Sequence, residues 1–216
     1  MVTNNNTLSV EEQVASSLLE IGAIRLNPSK LYKWASGWLS PIYCDNRLSL
    51  SFPQSRTLIK NALVELIKEK FAGVEAIAGV ATAGIPQGAL IAEVLNLPFI
   101  YVRPKPKDHG IENLIEGKVT PGQRVVVIED LISTGGSSLK AVEALRDSGF
   151  EVLGMAAIFT YGFDVATKNF ETSKVTLYTL SNYHALVKLA AAKGYIKEDE
   201  MKSLAEWRSA PDKWGI

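Results

Sequence analysis

Glu129 and Asp130 stand side by side, just ahead of Ser133-Thr134-Gly135-Gly136-Ser137-Ser138. Small and hydroxylated residues at a strand-to-helix turn present backbone N–H groups and the positive end of a helix dipole, which together take an anion such as phosphate. Glycines let the backbone approach the ligand, and hydroxyls add donors. Two carboxylates so close would repel a bare phosphate. They suit a sugar phosphate: the acids accept from ribose hydroxyls or hold a divalent metal while the loop takes the phosphate. The stretch is not a Walker A loop, since no Gly-Lys-Ser/Thr follows, and it is not GxGxxG. The simpler alternative is a strand–helix turn with surface acids.

A second set of reactive groups lies in Arg103-Pro104-Lys105-Pro106-Lys107-Asp108-His109-Gly110. Residues 103–120 form a polar loop longer than a plain connector. Arg103, Lys107 and His109 facing a phosphate site are what a lid over a pyrophosphate leaving group requires, because they neutralise developing charge and exclude water. A solvated charged face is the alternative here.

The elements that must position these groups can be read from the apolar pattern. Val125, Val126, Val127 and Ile128 predict a strand buried on both faces that stops at the acids. Leu139, Val142 and Leu145 mark one face of the following helix, which Gly149 ends. Strands at 76–80, 98–102, 152–160 and 174–180, with a helix at 84–95, predict a parallel α/β sheet. Ligands then bind beyond the carboxyl ends of the strands, where loops 81–84, 103–120 and 129–138 emerge.

Before that core, Ser9-Val10-Glu11-Glu12 is a capping box opening a helix that Gly22 ends. Residues 31–45, LYKWASGWLSPIYCD, read as an antiparallel appendage turning at Ser36-Gly37. Its Trp34, Trp38 and Tyr43 are expected in the core. The next helix has Pro53 near its start. From Tyr183 onward two helices are expected, with Pro211 after the second.

Of 216 residues 47% are hydrophobic, enough for one substantial core. Lys plus Arg and Asp plus Glu balance at 23 each, so no bulk attraction to nucleic acid or membrane is expected, and a polyanionic ligand needs local clusters. The single cysteine, Cys44, excludes an intrachain disulfide and reads as a small core residue. A polar N-terminus and the lack of a membrane-length apolar run make the cytoplasm the expected location.

The acid-pair loop resembles the phosphoribosyl-diphosphate (PRPP) motif of type I phosphoribosyltransferases. RPKPKDHG resembles the catalytic loop of the orotate phosphoribosyltransferases, SGWLSPIYCDNR their N-terminal hood, and GVATAGIP their pyrophosphate-side loop. The resemblance implies an α/β parallel-sheet phosphoribosyltransferase fold. The hood would span residues 1–50, the PRPP-binding core 51–180 and C-terminal helices 181–216. It implies transfer from PRPP to orotate, giving orotidine 5′-monophosphate and pyrophosphate, with Mg²⁺ held mainly through PRPP. Lys107, His109 and Asp130 would then be catalytic. Arg103, Lys107 and His109 would contact the diphosphate, and Glu129 and Asp130 the ribose. Leu131 and Ile132 lead into the phosphate cradle of Ser133, Thr134, Gly135, Gly136 and Ser137, where Ser133 would also touch orotate. Arg47 and hood N–H groups are candidates for the orotate carboxylate.

A homodimer with shared active sites is implied too. Pro104, Ala35 and Ala83 stand where the family often has lysine, and Lys105 and Lys33 are candidate substitutes. An adenine or xanthine phosphoribosyltransferase would share the acid-pair loop but not RPKPKDHG or the hood. A PRPP-sensing regulator would be expected to lose the loop cations and gain a basic face.

Overall fold

The computed structural model describes residues 8–28, 31–34, 37–105 and 114–214. In chain order the elements are α1 (Val10–Glu20), β1 (Ile24–Leu26), β2 (Tyr32–Lys33), β3 (Leu39–Ser40), β4 (Ile42–Cys44), a 3-10 helix (Asn46–Ser51) and α2 (Pro53–Lys70). The core follows as β5 (Ala76–Val80), α3 (Gly84–Leu95), β6 (Phe99–Val102), β7 (Ile115–Glu116), β8 (Arg124–Ile132), α4 (Gly136–Asp147), β9 (Glu151–Thr160), α5 (Asp164–Thr172) and β10 (Leu177–Asn182). Helices α6 (Tyr183–Ala192) and α7 (Glu198–Ser209) close the chain.

Six strands form one sheet in the order β10-β9-β8-β5-β6-β7, parallel except for β7 against β6. Strand β8 shows why the sheet is buried on both faces. Val126 and Ile128 enter one core with residues of α1, α2, α3, α6 and α7, while Val125 and Val127 enter the other with α4 and α5. The winding runs outward from β5 to β6 on one side and from β8 to β9 and β10 on the other. The crevice between β5 and β8 is therefore the switch point, where a parallel sheet binds ligands.

The capping box of α1 forms as the sequence predicts: Glu12 N donates to Ser9 Oγ and Ser9 N donates to the Glu12 carboxylate. The two C-terminal helices are also present. Four details differ from the sequence reading. The appendage is split: β2 pairs with β3, whereas β4 pairs with β1. Ser40 causes the break, its Oγ accepting from Ile42 N and donating to Ile42 O across Pro41. Trp34 and Trp38 pack on the core, but Tyr43 is 40% exposed, because alternation in β4 turns it outward between Ile42 and Cys44. The predicted strand at 174–180 starts later, since Lys174 has φ +52 and belongs to the turn after α5. Finally, residues 114–116 fold back on β6, with Arg103 N donating to Leu114 O at 2.7 Å, so the long loop leaves and returns at one place. Among the described residues, no helix is long and apolar enough to cross a membrane.

Candidate active site

The acids do not end β8. The strand runs through them to Ile132, with Glu129 opposite Ala157 and Leu131 opposite Phe159 of the long neighbour β9. The two carboxyl groups are neighbours and interact through their side chains. Glu129 turns toward α4, where Oε2 accepts from Ser138 Oγ at 2.9 Å and Oε1 accepts from Asp130 N at 3.0 Å. The backbone O of Asp130 accepts from Asn46 Nδ2 at 2.7 Å, which ties β8 to the hood. Asp130 is half-buried and Glu129 buried, so the reading of a strand that stops at the acids is corrected, and so is the alternative of surface acids.

Both acids nevertheless reach one cavity of about 340 Å³. Its walls are Cys44, Asp45 and Arg47 from the hood side, residues 80–83 after β5, and Glu129, Asp130, Leu131 and Ser137 from β8 and its loop. The β5 wall comes this close because of Gly84. A Cβ there would lie 2.3 Å from the Ile128 carbonyl oxygen, so only glycine lets α3 start directly on the backbone of β8. The Ala81–Thr82 peptide in this wall is cis.

The cavity is acidic. Burial, then the neighbouring Asp130 charge, pushes the Glu129 carboxyl up to about 8. Burial also raises Asp130 above its ordinary value. Asp45 is held low by Arg47, whose Nε and Nη2 reach Asp45 Oδ1 and Oδ2 at 2.7 and 2.9 Å. The one arginine of the cavity is thus committed to a carboxylate. Burial, then Asp130 and Asp45, pushes the Cys44 thiol up, which agrees with an inert small residue. Burial disfavours the ionised form of both acids, and a cation or ribose hydroxyls would favour it.

The Glu129 shift has a stability consequence. Its folded value lies above the ordinary 4.5, so its contribution to stability is fully present below that value and is lost as pH rises toward about 8. Glu129→Gln mimics the protonated form and can keep both hydrogen bonds. The ligand-free variant is expected to lose less stability than wild type from about pH 5 to about pH 8. At pH 8 it should melt several degrees higher, on the order of 5 °C. Calorimetry across that range checks it; parallel pH profiles would contradict it.

The 133–137 loop meets α4 at Gly135, which has φ +80, and a Cβ there would lie 2.6 Å from the Phe170 ring. No side chain caps α4, so its first N–H groups face the loop unspent by a cap. Asn169 Nδ2 donates to Thr134 O at 2.9 Å, and Thr160 Oγ1 donates to Ile132 O at 3.3 Å, fixing the loop from α5 and β9. The result is an uncapped helix N-terminus beside two carboxylates at a switch point, a geometry suited to a sugar phosphate.

A family profile described as "Phosphoribosyl transferase domain" matches residues 50–190. Orotate phosphoribosyltransferase of Cytophaga hutchinsonii is 63% identical over 207 residues, covering 96% of this chain and 99% of that protein. The enzyme of that name from Porphyromonas gingivalis is 57% identical, with 94% and 97% covered. The chain belongs to the orotate phosphoribosyltransferase family. Its fold agrees: the crystal structure of orotate phosphoribosyltransferase from Aeropyrum pernix superposes with TM-score 0.74 at 30% identity, covering 85% of this chain and 99% of that one.

Within this family frame the predicted residues fall into three groups. Glu129, Asp130, Leu131 and Ser137 line the cavity, and Ile132 is buried in the core with α4 and α5. Ser133 and Thr134 are half-buried in the loop, and Gly135 and Gly136 form the helix start. Arg103 sits at the end of β6, with Nη1 3.6 Å from Glu116 Oε1, and does not line this cavity. Lys107, His109 and Ala35 lie outside the described residues. Lys33 and Lys105 are exposed. Sequence reasoning missed Ser138 and Asn46, which hold the acids in place. Both stood inside quoted motifs, Asn46 in SPIYCDNR, but nothing local to either reveals a partner in another element.

Proposed function

We propose that the protein transfers ribose 5-phosphate from PRPP to orotate, giving orotidine 5′-monophosphate and pyrophosphate. The observation that carries this is the acid pair beside the uncapped α4 N-terminus, in a chain 63% identical to a relative of that name.

Residues 133–137 take the 5′-phosphate on backbone N–H groups, and Glu129 and Asp130 accept from the ribose hydroxyls. Breaking the bond at the anomeric carbon puts positive charge on the ribose ring and negative charge on pyrophosphate. The carboxylate of Asp130 stabilises the first, while Arg103, Lys107 and His109 stabilise the second. His109 donates a hydrogen bond or proton to pyrophosphate. Orotate is electron-poor and anionic and needs little activation. Among the described residues no three acidic, histidine or cysteine side chains converge on a metal site, and Asp45 is paired with Arg47. Mg²⁺ would thus be held mainly through the substrate's phosphates beside the Asp130 carboxylate, since it characteristically binds one or two carboxylates plus substrate phosphates. When bound it neutralises diphosphate charge. A polyanionic substrate that does not cross membranes unaided places the reaction in the cytoplasm.

Loss of the orotate absorbance in the ultraviolet tests the reaction. It should require both PRPP and Mg²⁺ and stop with chelator; loss without PRPP, or none with all components present, contradicts it.

The reading includes a homodimer in which the 103–120 loop serves the neighbouring subunit's PRPP. Complementation tests this. Asp130→Asn and Lys107→Ala proteins are each expected to be inactive, but mixed dimers would hold one site with intact Asp130 and the partner's Lys107. About a quarter of wild-type activity should return after random exchange of equal amounts, since half the dimers are mixed and each of those has one good site of two. Verified mixed dimers without activity would reject sharing and leave the chemistry untouched.

A further inference from the structure

We infer that Arg208, on the C-terminal helix α7, holds the carboxylate of orotate and so selects it over a neutral pyrimidine. The inference rests on the orotate reading above. Orotate carries a carboxylate that uracil lacks, and that charge needs a donor. The cavity at Glu129 and Asp130 is poorly suited, because it holds three carboxylates and its arginine is spent on Asp45.

A second cavity, about 430 Å³, opens against the same phosphate loop at Thr134. Trp38 of the hood and Phe163 after β9 form its aromatic wall, with ring centroids 6.3 Å apart at 70°. A flat pyrimidine suits such a wall. Arg208 supplies the charge. Its Nη2 donates to Gly162 O at 2.7 Å and its Nε to Tyr161 O at 3.3 Å. Both partners are neutral carbonyls, and among the described residues Arg208 makes no ion pair. The side chain is exposed, so its remaining N–H donors are open to a ligand. A guanidinium has five N–H donors, and the remainder can form a fork on a carboxylate.

The side chain is also pre-positioned. The adjacent Trp207 is fully buried, donates from Nε1 to Leu39 O at 3.1 Å, and lies edge-on to Trp34 and Tyr161 at 5.7 and 5.8 Å. One turn of α7 is thereby fixed to the hood and to the end of β9 together. Asp164 and Asp212 line the cavity as well. Both are exposed, where solvent screens them, and both can accept from a ring N–H of the base.

The test compares orotidine and uridine 5′-monophosphates, which differ only in the carboxylate, by titration calorimetry on the full-length protein. Wild type should bind the orotidine nucleotide more tightly. Arg208→Gln should lose that preference by about ten- to a hundredfold, as expected for a hydrogen-bonded charge, with uridine nucleotide affinity and melting temperature unchanged. Arg208→Lys should restore part of it. An Arg208→Gln protein that keeps the wild-type preference overturns the assignment to Arg208, and so does an equal loss of both affinities. If wild type itself neither consumes orotate nor prefers its nucleotide, the orotate reading fails and the inference with it.

Discussion

Lys107→Ala is expected to lower kcat by about 10²–10³ while PRPP affinity stays within a few-fold, the pattern of a lost transition-state contact. Negative charge on pyrophosphate grows only as the anomeric bond breaks, so a lid cation does most of its work there. Lys107 itself lies outside the described residues, and the ends of its loop lie within them. Arg103 N donates to Leu114 O, which holds the two ends of the loop together at the carboxyl end of β6. Steady-state kinetics with a direct PRPP titration decide the matter. A loss confined to PRPP affinity would make Lys107 a ground-state contact and contradict the lid.

Asp130→Asn is expected to cut kcat/KM by about 10²–10³, the scale of one charged transition-state contact, without lowering the melting temperature. The carboxyl is raised by burial, so its ionised form disfavours the empty fold and its stabilising contribution is lost as pH rises through the folded value. The two hydrogen bonds that anchor this position, from Asp130 N to Glu129 and from Asn46 to Asp130 O, involve the backbone and survive the change. At pH 8 the ligand-free variant should melt at the wild-type temperature or above. A marked drop would give Asp130 a structural role instead.

How far the site could be read beforehand depended on how local each signal was. Val125 through Ile128 announce a doubly buried strand by composition alone, and Gly135 marks a left-handed turn that no other residue fits as well. The continuation of β8 past the acids was not visible, because pairing with β9 decides it and carboxylates are poor strand formers. The split hood was hidden for the same reason: Ser40 looks like a turn residue, but its bonds to Ile42 appear only once β1 claims β4. Helix α5 buries only Ala166 and Phe170, too few to give a periodic stripe. Arg208 lies 75 positions beyond Ser133 in the numbering and reaches the loop region only through α7 packing on the hood.

The central claim is that the ribose phosphate held at Glu129, Asp130 and the 133–137 loop passes to orotate. The most direct measurement puts PRPP, Mg²⁺ and equal concentrations of orotate, uracil, adenine and xanthine in one vessel and quantifies the nucleotides by mass. The product ratio reports the ratio of kcat/KM values, and a site that pairs a substrate charge discriminates by about 10⁴ or more. Orotidine 5′-monophosphate should be essentially the sole product. A majority of adenosine or xanthosine 5′-monophosphate, with orotate left unconsumed, would contradict the account.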